Sequence, residues 1–180
     1  GNGDQFQYDW LKQDLNGDFI AHLLSQDDVA PNHLNQAGIM IRDSLTDISR
    51  FFFIGKTADN KIYLLYRNVA GGSVNVLSVP YVPGNDYFRI AKSVTKLTAY
   101  YGTCEAGPWT VLGTNHDLGF GTGEIYEGFA VSSLNTGVVS TATFALPGNS
   151  TGLPIQLLNF TGTNVDNKYV SLSWETATEQ

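Results

Sequence analysis

The sequence predicts an all-β protein, a two-sheet antiparallel β-sandwich. Three observations carry that expectation. Apolar residues recur with period two along most of the chain, as in strands with one buried face. Clusters of Gly, Asn, Asp and Pro punctuate it at roughly 8–12-residue intervals, the spacing of short strands in sandwiches and barrels. No segment carries a 3.6-residue stripe longer than about two turns, although residues 26–35 leave room for a short helical turn.

The elements follow in order. Residues 4–10 place Phe6 and Tyr8 on one face and Gln5, Gln7 and Asp9 on the other. Asn16-Gly17 turns the chain into a strand over 17–26. Residues 37–43 set Ile39 and Ile41 against Met40 and Arg42. Strands over 49–57 and 61–67 are joined by Ala58-Asp59-Asn60, a compact hairpin loop. Gly71-Gly72 leads into 73–80. In Pro83-Gly84-Asn85-Asp86, proline presets φ and glycine permits positive φ, which makes a turn before 87–94 and 96–101. Further strands are expected over 108–114, 125–132 and 138–146, about eleven in all.

Pro147-Gly148-Asn149-Ser150-Thr151-Gly152 reads as a linker. The expected organisation is a sandwich module over 1–147, a linker over 148–153, and a β-hairpin or the start of a following domain over 154–180. That last piece is too short for a core of its own. The opening Gly1-Asn2-Gly3 reads as an internal boundary, with the natural N-terminus expected upstream.

Composition narrows the function classes. The chain has 180 residues, enough for one domain with a real core. Only 15% are charged and the net charge is −7, so the average field repels a phosphate backbone. The ten basic residues are scattered rather than clustered, which excludes nucleic-acid and anionic-membrane readings. No apolar run approaches the roughly 18 residues that a spanning helix needs. A single cysteine, Cys104, permits no internal disulfide and reads as a small, partly buried hydrophobe near a turn. The three histidines show no zinc-ligand spacing.

Two stretches resemble known families. Asp4-Gln5-Phe6-x-Tyr8, Gly17-Asp18-Phe19 and Ala37-Gly38-Ile39-Met40-Ile41-Arg42-Asp43-Ser44 form the first part of one pattern. It continues through Tyr66-Arg67, Phe88-Arg89-Ile90-x-Lys92, Thr98-Ala99-Tyr100-Tyr101, Trp109-Thr110-x-Leu112-Gly113 and Tyr126-x-Gly128-Phe129-Ala130-Val131 to Ala142-x-Phe144. This pattern, over residues 4–146, resembles the concanavalin-like β-sandwich domains of bacterial exported proteins, the enolase-regulation-protein-like family. The resemblance implies a jelly-roll of the concanavalin or laminin-G kind, with no catalytic residues to carry over. Leu153-Pro154-Ile155-Gln156-Leu157-Leu158-x-Phe160, with Val170-x-Leu172-x-Trp174-Glu175-Thr176, resembles the segment that precedes the sorting signal in type IX-secreted proteins of Bacteroidetes. Together the two imply a secreted or cell-surface module of a multidomain protein, one that binds carbohydrate, serves adhesion, or acts as a spacer without a ligand.

A glycosidase needs two carboxylates facing one cleft. Glu124 and Glu127 are three apart on a strand and so point to opposite faces, and no enzyme is expected. His116-Asp117 falls in a loop. Asp14 and Asp18 are weak calcium candidates in D-x-N-x-D, but the EF-hand positions for Gly and Glu hold Phe19 and Ser25. The best binding constellation is a sheet face. With Ile39, Ile41, Ile62 and Leu64 inward, parity turns Gln5, Gln7, Arg42, Tyr63 and Arg67 to one outer face, with Trp10 at its end. Planar rings and amide or guanidinium donors are what a sugar-binding face requires. The same side chains also serve as ordinary cross-strand cover. Trp109 and Trp174 alternate with strand residues and are expected in the core.

Overall fold

The computed structural model describes residues 10–13, 16–30, 33–120, 125–135, 138–145, 157–165 and 169–176. The chain divides into two compact units, Gly1–Pro147 and Gly148–Gln180.

The first unit is an all-β sandwich. Its strands are β1 (Trp10–Gln13), β2 (Asn16–Gln26), β3 (Gln36–Arg42), β4 (Phe51–Thr57), β5 (Lys61–Arg67) and β6 (Asn75–Pro80). They continue with β7 (Tyr87–Ser93), β8 (Lys96–Gly102), β9 (Trp109–Asp117), β10 (Ile125–Ser132) and β11 (Ala142–Ala145). A six-stranded sheet runs β1-β10-β3-β4-β5-β6 and a five-stranded sheet runs β11-β2-β7-β8-β9, with every pairing antiparallel. The second unit contains an antiparallel hairpin of β12 (Leu157–Val165) and β13 (Tyr169–Thr176). No helix among the described residues is long and apolar enough to cross a membrane.

The core lies between the two sheets and follows from strand parity. Phe19, Ala21 and Leu23 of β2, Phe88 and Ile90 of β7, and Leu97 and Ala99 of β8 meet Ile39, Ile41, Phe52, Ile54, Ile62 and Leu64 of the facing sheet. Such burial, at roughly 25 cal/mol per Å² of apolar surface, is the main force closing a sandwich. Gly38 and Gly55 face each other across β3 and β4, and a Cβ on either would strike the other strand's backbone. The predicted hairpin loop at Ala58-Asp59-Asn60 is present: Thr57 pairs with Lys61, and Asn60 takes φ 58°. Among the described residues of 26–35 no helix is present, although His33 N donates to the Val29 carbonyl at 3.1 Å, as in a single helical turn. The loop's fixed point is Asn35, fully buried, whose amide donates to the Asp27 carbonyl at 2.6 Å and whose Oδ1 accepts from Val29 N at 3.2 Å.

The outer face of the six-stranded sheet is also apolar at its centre. Met40, Phe51, Phe53 and Ala130 form a second buried cluster there, with Leu65 packed against it. Phe51-Phe52-Phe53-Ile54 is therefore buried on both faces, as a continuous apolar run allows.

Candidate functional site

The structure brings Arg42, Tyr63 and Arg67 onto one outer face, as parity predicted, but that face is not the open one expected. Arg42 and Arg67 stand in one row either side of Phe51. They are 3% and 8% exposed. Arg42 donates from Nη2 to the Thr46 carbonyl at 2.6 Å and from Nε to Ser49 Oγ at 2.7 Å. Arg67 donates from Nη1 to the Asp47 and Ser49 carbonyls at 3.1 and 3.2 Å. Its guanidinium also lies 5.2 Å from the Phe51 ring centroid. The two arginines thus tie down the β3–β4 loop, through its carbonyls and the Ser49 hydroxyl. Tyr63 is half-buried, its hydroxyl 3.5 Å from Asp59 Oδ2 and from Lys61 Nζ. Gln5, Gln7 and Asp14 lie outside the described residues, as does the side chain of Trp10.

Asp18 does not present a free carboxylate for calcium. Its Oδ2 accepts from Arg89 Nη2 at 2.7 Å. Among the described residues, no three His, Cys, Asp or Glu side chains gather as a metal site would require. Cys104 is exposed in the β8–β9 loop rather than partly buried, its Sγ 2.8 Å from the Gly107 carbonyl. His116 belongs to β9, not to a loop. Its ring packs on Tyr66 and Phe52 at 4.5 and 5.5 Å, and burial holds its pKa below the usual value.

The open aromatic surface is the outer face of the five-stranded sheet. Because Phe19, Ala21, Phe88, Ile90, Leu97 and Ala99 point inward, their alternates point out. The register aligns His22, Tyr87, Gly102 and Trp109 in one row across β2, β7, β8 and β9. The next row holds Ile20, Arg89, Tyr100 and Val111, and a third holds Asp18, Ala91 and Thr98. His22 and Tyr87 stack at 4.0 Å and 9°. The Arg89 guanidinium lies 4.8 Å from the Tyr100 centroid and 5.8 Å from that of Trp109. Its Nε is buried without a hydrogen-bond partner among the described residues, and the guanidinium is held by the rings and by Asp18 at its tip. Tyr87, Arg89, Tyr100 and Trp109 are all half-buried, the Arg89 side chain 25% exposed.

Trp109, a core residue by the sequence expectation, stands outward instead, in the row of Gly102. β9 carries two irregularities: Tyr100 pairs with Val111 and Ala99 with Gly113, which leaves Leu112 extra, and Leu97 pairs with His116, which leaves a second extra residue between Gly113 and His116. Each insertion reverses the face, so Gly113 and His116 both face the core although they are three apart. Leu112 packs on the core, and Trp109, three residues before it, falls on the other side by ordinary alternation. Sequence reasoning also passed over Tyr87, Arg89 and Tyr100, although the alternation in YFRIAKS and KLTAYYG places them opposite the apolar set.

Comparison with known proteins adds little to this geometry. No family model matches the chain, and no curated protein does. One similar solved structure is that of a functionally unknown protein from Saccharomyces cerevisiae, 13% identical, with a TM-score of 0.49 over 80% of this chain and 76% of that one.

Proposed function

We propose that this chain is a non-catalytic carbohydrate-binding or surface-adhesion module of a secreted multidomain protein, and that its ligand lies on the five-stranded sheet. The observation that carries the reading is the row structure of Trp109, Tyr100, Arg89 and Tyr87, half-buried planar groups on the outer side of three adjacent strands. Strands are about 4.8 Å apart, so the four strands β2, β7, β8 and β9 span about 14 Å, the length of two or three sugar rings. Aromatic planes present apolar surface to the C–H faces of such rings, and the hydroxyl and amine groups around them supply hydrogen bonds. The carboxylate in this face, Asp18, is neutralised by Arg89, which suits recognition rather than acid–base chemistry. The resemblance to exported bacterial sandwich domains and to the type IX-associated segment supports a surface location. This placement replaces the face bearing Gln5, Gln7, Arg42, Tyr63 and Arg67, because Arg42 and Arg67 are spent on the β3–β4 loop.

A second reading is a spacer domain without ligand. It is favoured by the same contacts seen differently: His22 on Tyr87 and Arg89 on Tyr100 satisfy one another as cover for the sheet. Affinity electrophoresis against a panel of soluble polysaccharides separates the two. A carbohydrate-binding module is retarded by at least one polymer, and Trp109→Ala and Tyr100→Ala abolish the retardation while the melting temperature holds. No retardation by any polymer favours the spacer.

A further inference from the structure

We infer that Asp18 sets the specificity of this face, by cancelling the charge of Arg89 and so selecting uncharged glycans over acidic ones. The inference rests on the carbohydrate-binding reading and names the class of sugar.

Arg89 is the cation among the aromatic rows, and an unpaired guanidinium between two rings would be a strong receptor for a uronate or sulfate, since its fork meets two oxygens at once. Here Nη2 already donates to Asp18 Oδ2 at 2.7 Å. The pair comes from opposing strands: Asp18 stands opposite Ala91 on β7, two residues from Arg89, a diagonal that long side chains bridge. Nε is buried. An anionic sugar that reached the guanidinium would therefore come to rest beside the Asp18 carboxylate, which repels it.

Among the described residues, the other arginines are committed elsewhere. Arg50 is bound to Asp43 Oδ2 at 2.6 Å and to the Leu118 and Gly119 carbonyls. Arg42 and Arg67 hold the β3–β4 loop. Lys96 is an exposed cation at the end of the same face, two rows from Arg89, with Asp117 beside it in register. With a net charge of −7, the mean field opposes an acidic polymer as well. What remains favourable is stacking on Trp109 and Tyr100, which asks for flat, equatorially substituted, uncharged rings.

The test uses matched neutral and acidic polymers. Hydroxyethyl and carboxymethyl derivatives of cellulose, of a β-1,3-glucan and of a mannan are cast in native gels, and retardation of the whole chain and of Asp18→Asn is compared. The expected result is retardation by a hydroxyethyl polymer at least tenfold stronger than by its carboxymethyl partner, little changed between 0.05 and 0.5 M salt. Asp18→Asn is expected to gain at least tenfold on the carboxymethyl polymer, in a salt-sensitive manner, and Asp18→Asn/Arg89→Gln to lose that gain. Stronger retardation of the unaltered chain by a carboxymethyl polymer overturns the inference and keeps the carbohydrate reading. The same holds if Asp18→Asn, folded by its melting curve, shows no gain. Absence of retardation on all six polymers overturns both.

Discussion

The six-membered ring of Trp109 lies across the backbone of Gly102, its antiparallel partner on β8. A Cβ on Gly102 would come within 3.3 Å of Trp109 Cε3 and 3.0 Å of the Pro108 carbonyl oxygen. The indole is seated on the sheet only because nothing projects beneath it. Gly102→Val is expected to tilt the ring off the sheet, removing the near-UV circular dichroism band that Trp109→Phe identifies, and to weaken glycan retardation at least tenfold. An unchanged Trp109 band in Gly102→Val contradicts this account of the seat.

Arg42 is expected to govern stability and not affinity. Truncation removes hydrogen bonds to Thr46, Ser49 and Ser44, of which Ser49 is buried, and opens a gap beside Phe51. Arg42→Ala should cost about 2–4 kcal/mol in urea unfolding. Arg42→Lys should recover only part of this, because an ammonium cannot reproduce the fork. The midpoint checks the cost, and glycan retardation by the folded fraction should stay as it was.

Val94 carries strain in the tight β7–β8 turn. Ser93 pairs with Lys96, and Val94 takes φ 54°, a region that a β-branched residue enters only at a cost. Its side chain is 50% exposed. Val94→Asn, whose side chain tolerates this region, should stabilise the protein by about 1 kcal/mol. The Lys92 ammonium, which donates to the Val94 carbonyl at 2.6 Å, keeps its acceptor in that variant. A midpoint that falls instead would show that the valine side chain contributes more than its strain costs.

Glu127 makes stability depend on pH. It faces the core in register with Ile41, is 7% exposed, and its Oε2 lacks a hydrogen-bond partner. Burial pushes its pKa up to about 7 from the ordinary 4.5. Between these values the unfolded chain has released the proton and the folded chain retains it, so stability falls as pH rises from 4.5 to 7 and then levels. The loss is about 3 kcal/mol at most. Glu127→Gln should flatten that segment of the profile. Urea midpoints at pH 4.5, 6 and 7.5 measure it, and an equal slope in both proteins would mean that another group is responsible.

The sequence by itself determined the class of fold and most of its strands. The apolar alternation that makes β5 and β10 lie at 61–67 and 125–132 is a local property, because burial of one face demands period two wherever a strand lies. The same parity put Arg42, Tyr63 and Arg67 on a common face. Only the tertiary structure decided which faces are open. Phe51-Phe52-Phe53 carried a hint, since apolar residues on both parities mean a strand covered on both sides, yet alternation alone does not say what closes over a face. Likewise alternation along β9 does not say which of its faces is inward; Trp109 faces out because β9 pairs with β8 in the register that sets Trp109 opposite Gly102, and the two extra residues of β9 are fixed by that pairing rather than by the strand that contains them. Pairing also brought Asp18 to Arg89, 71 residues away, a contact that no local pattern encodes because it exists only once β2 and β7 are in register.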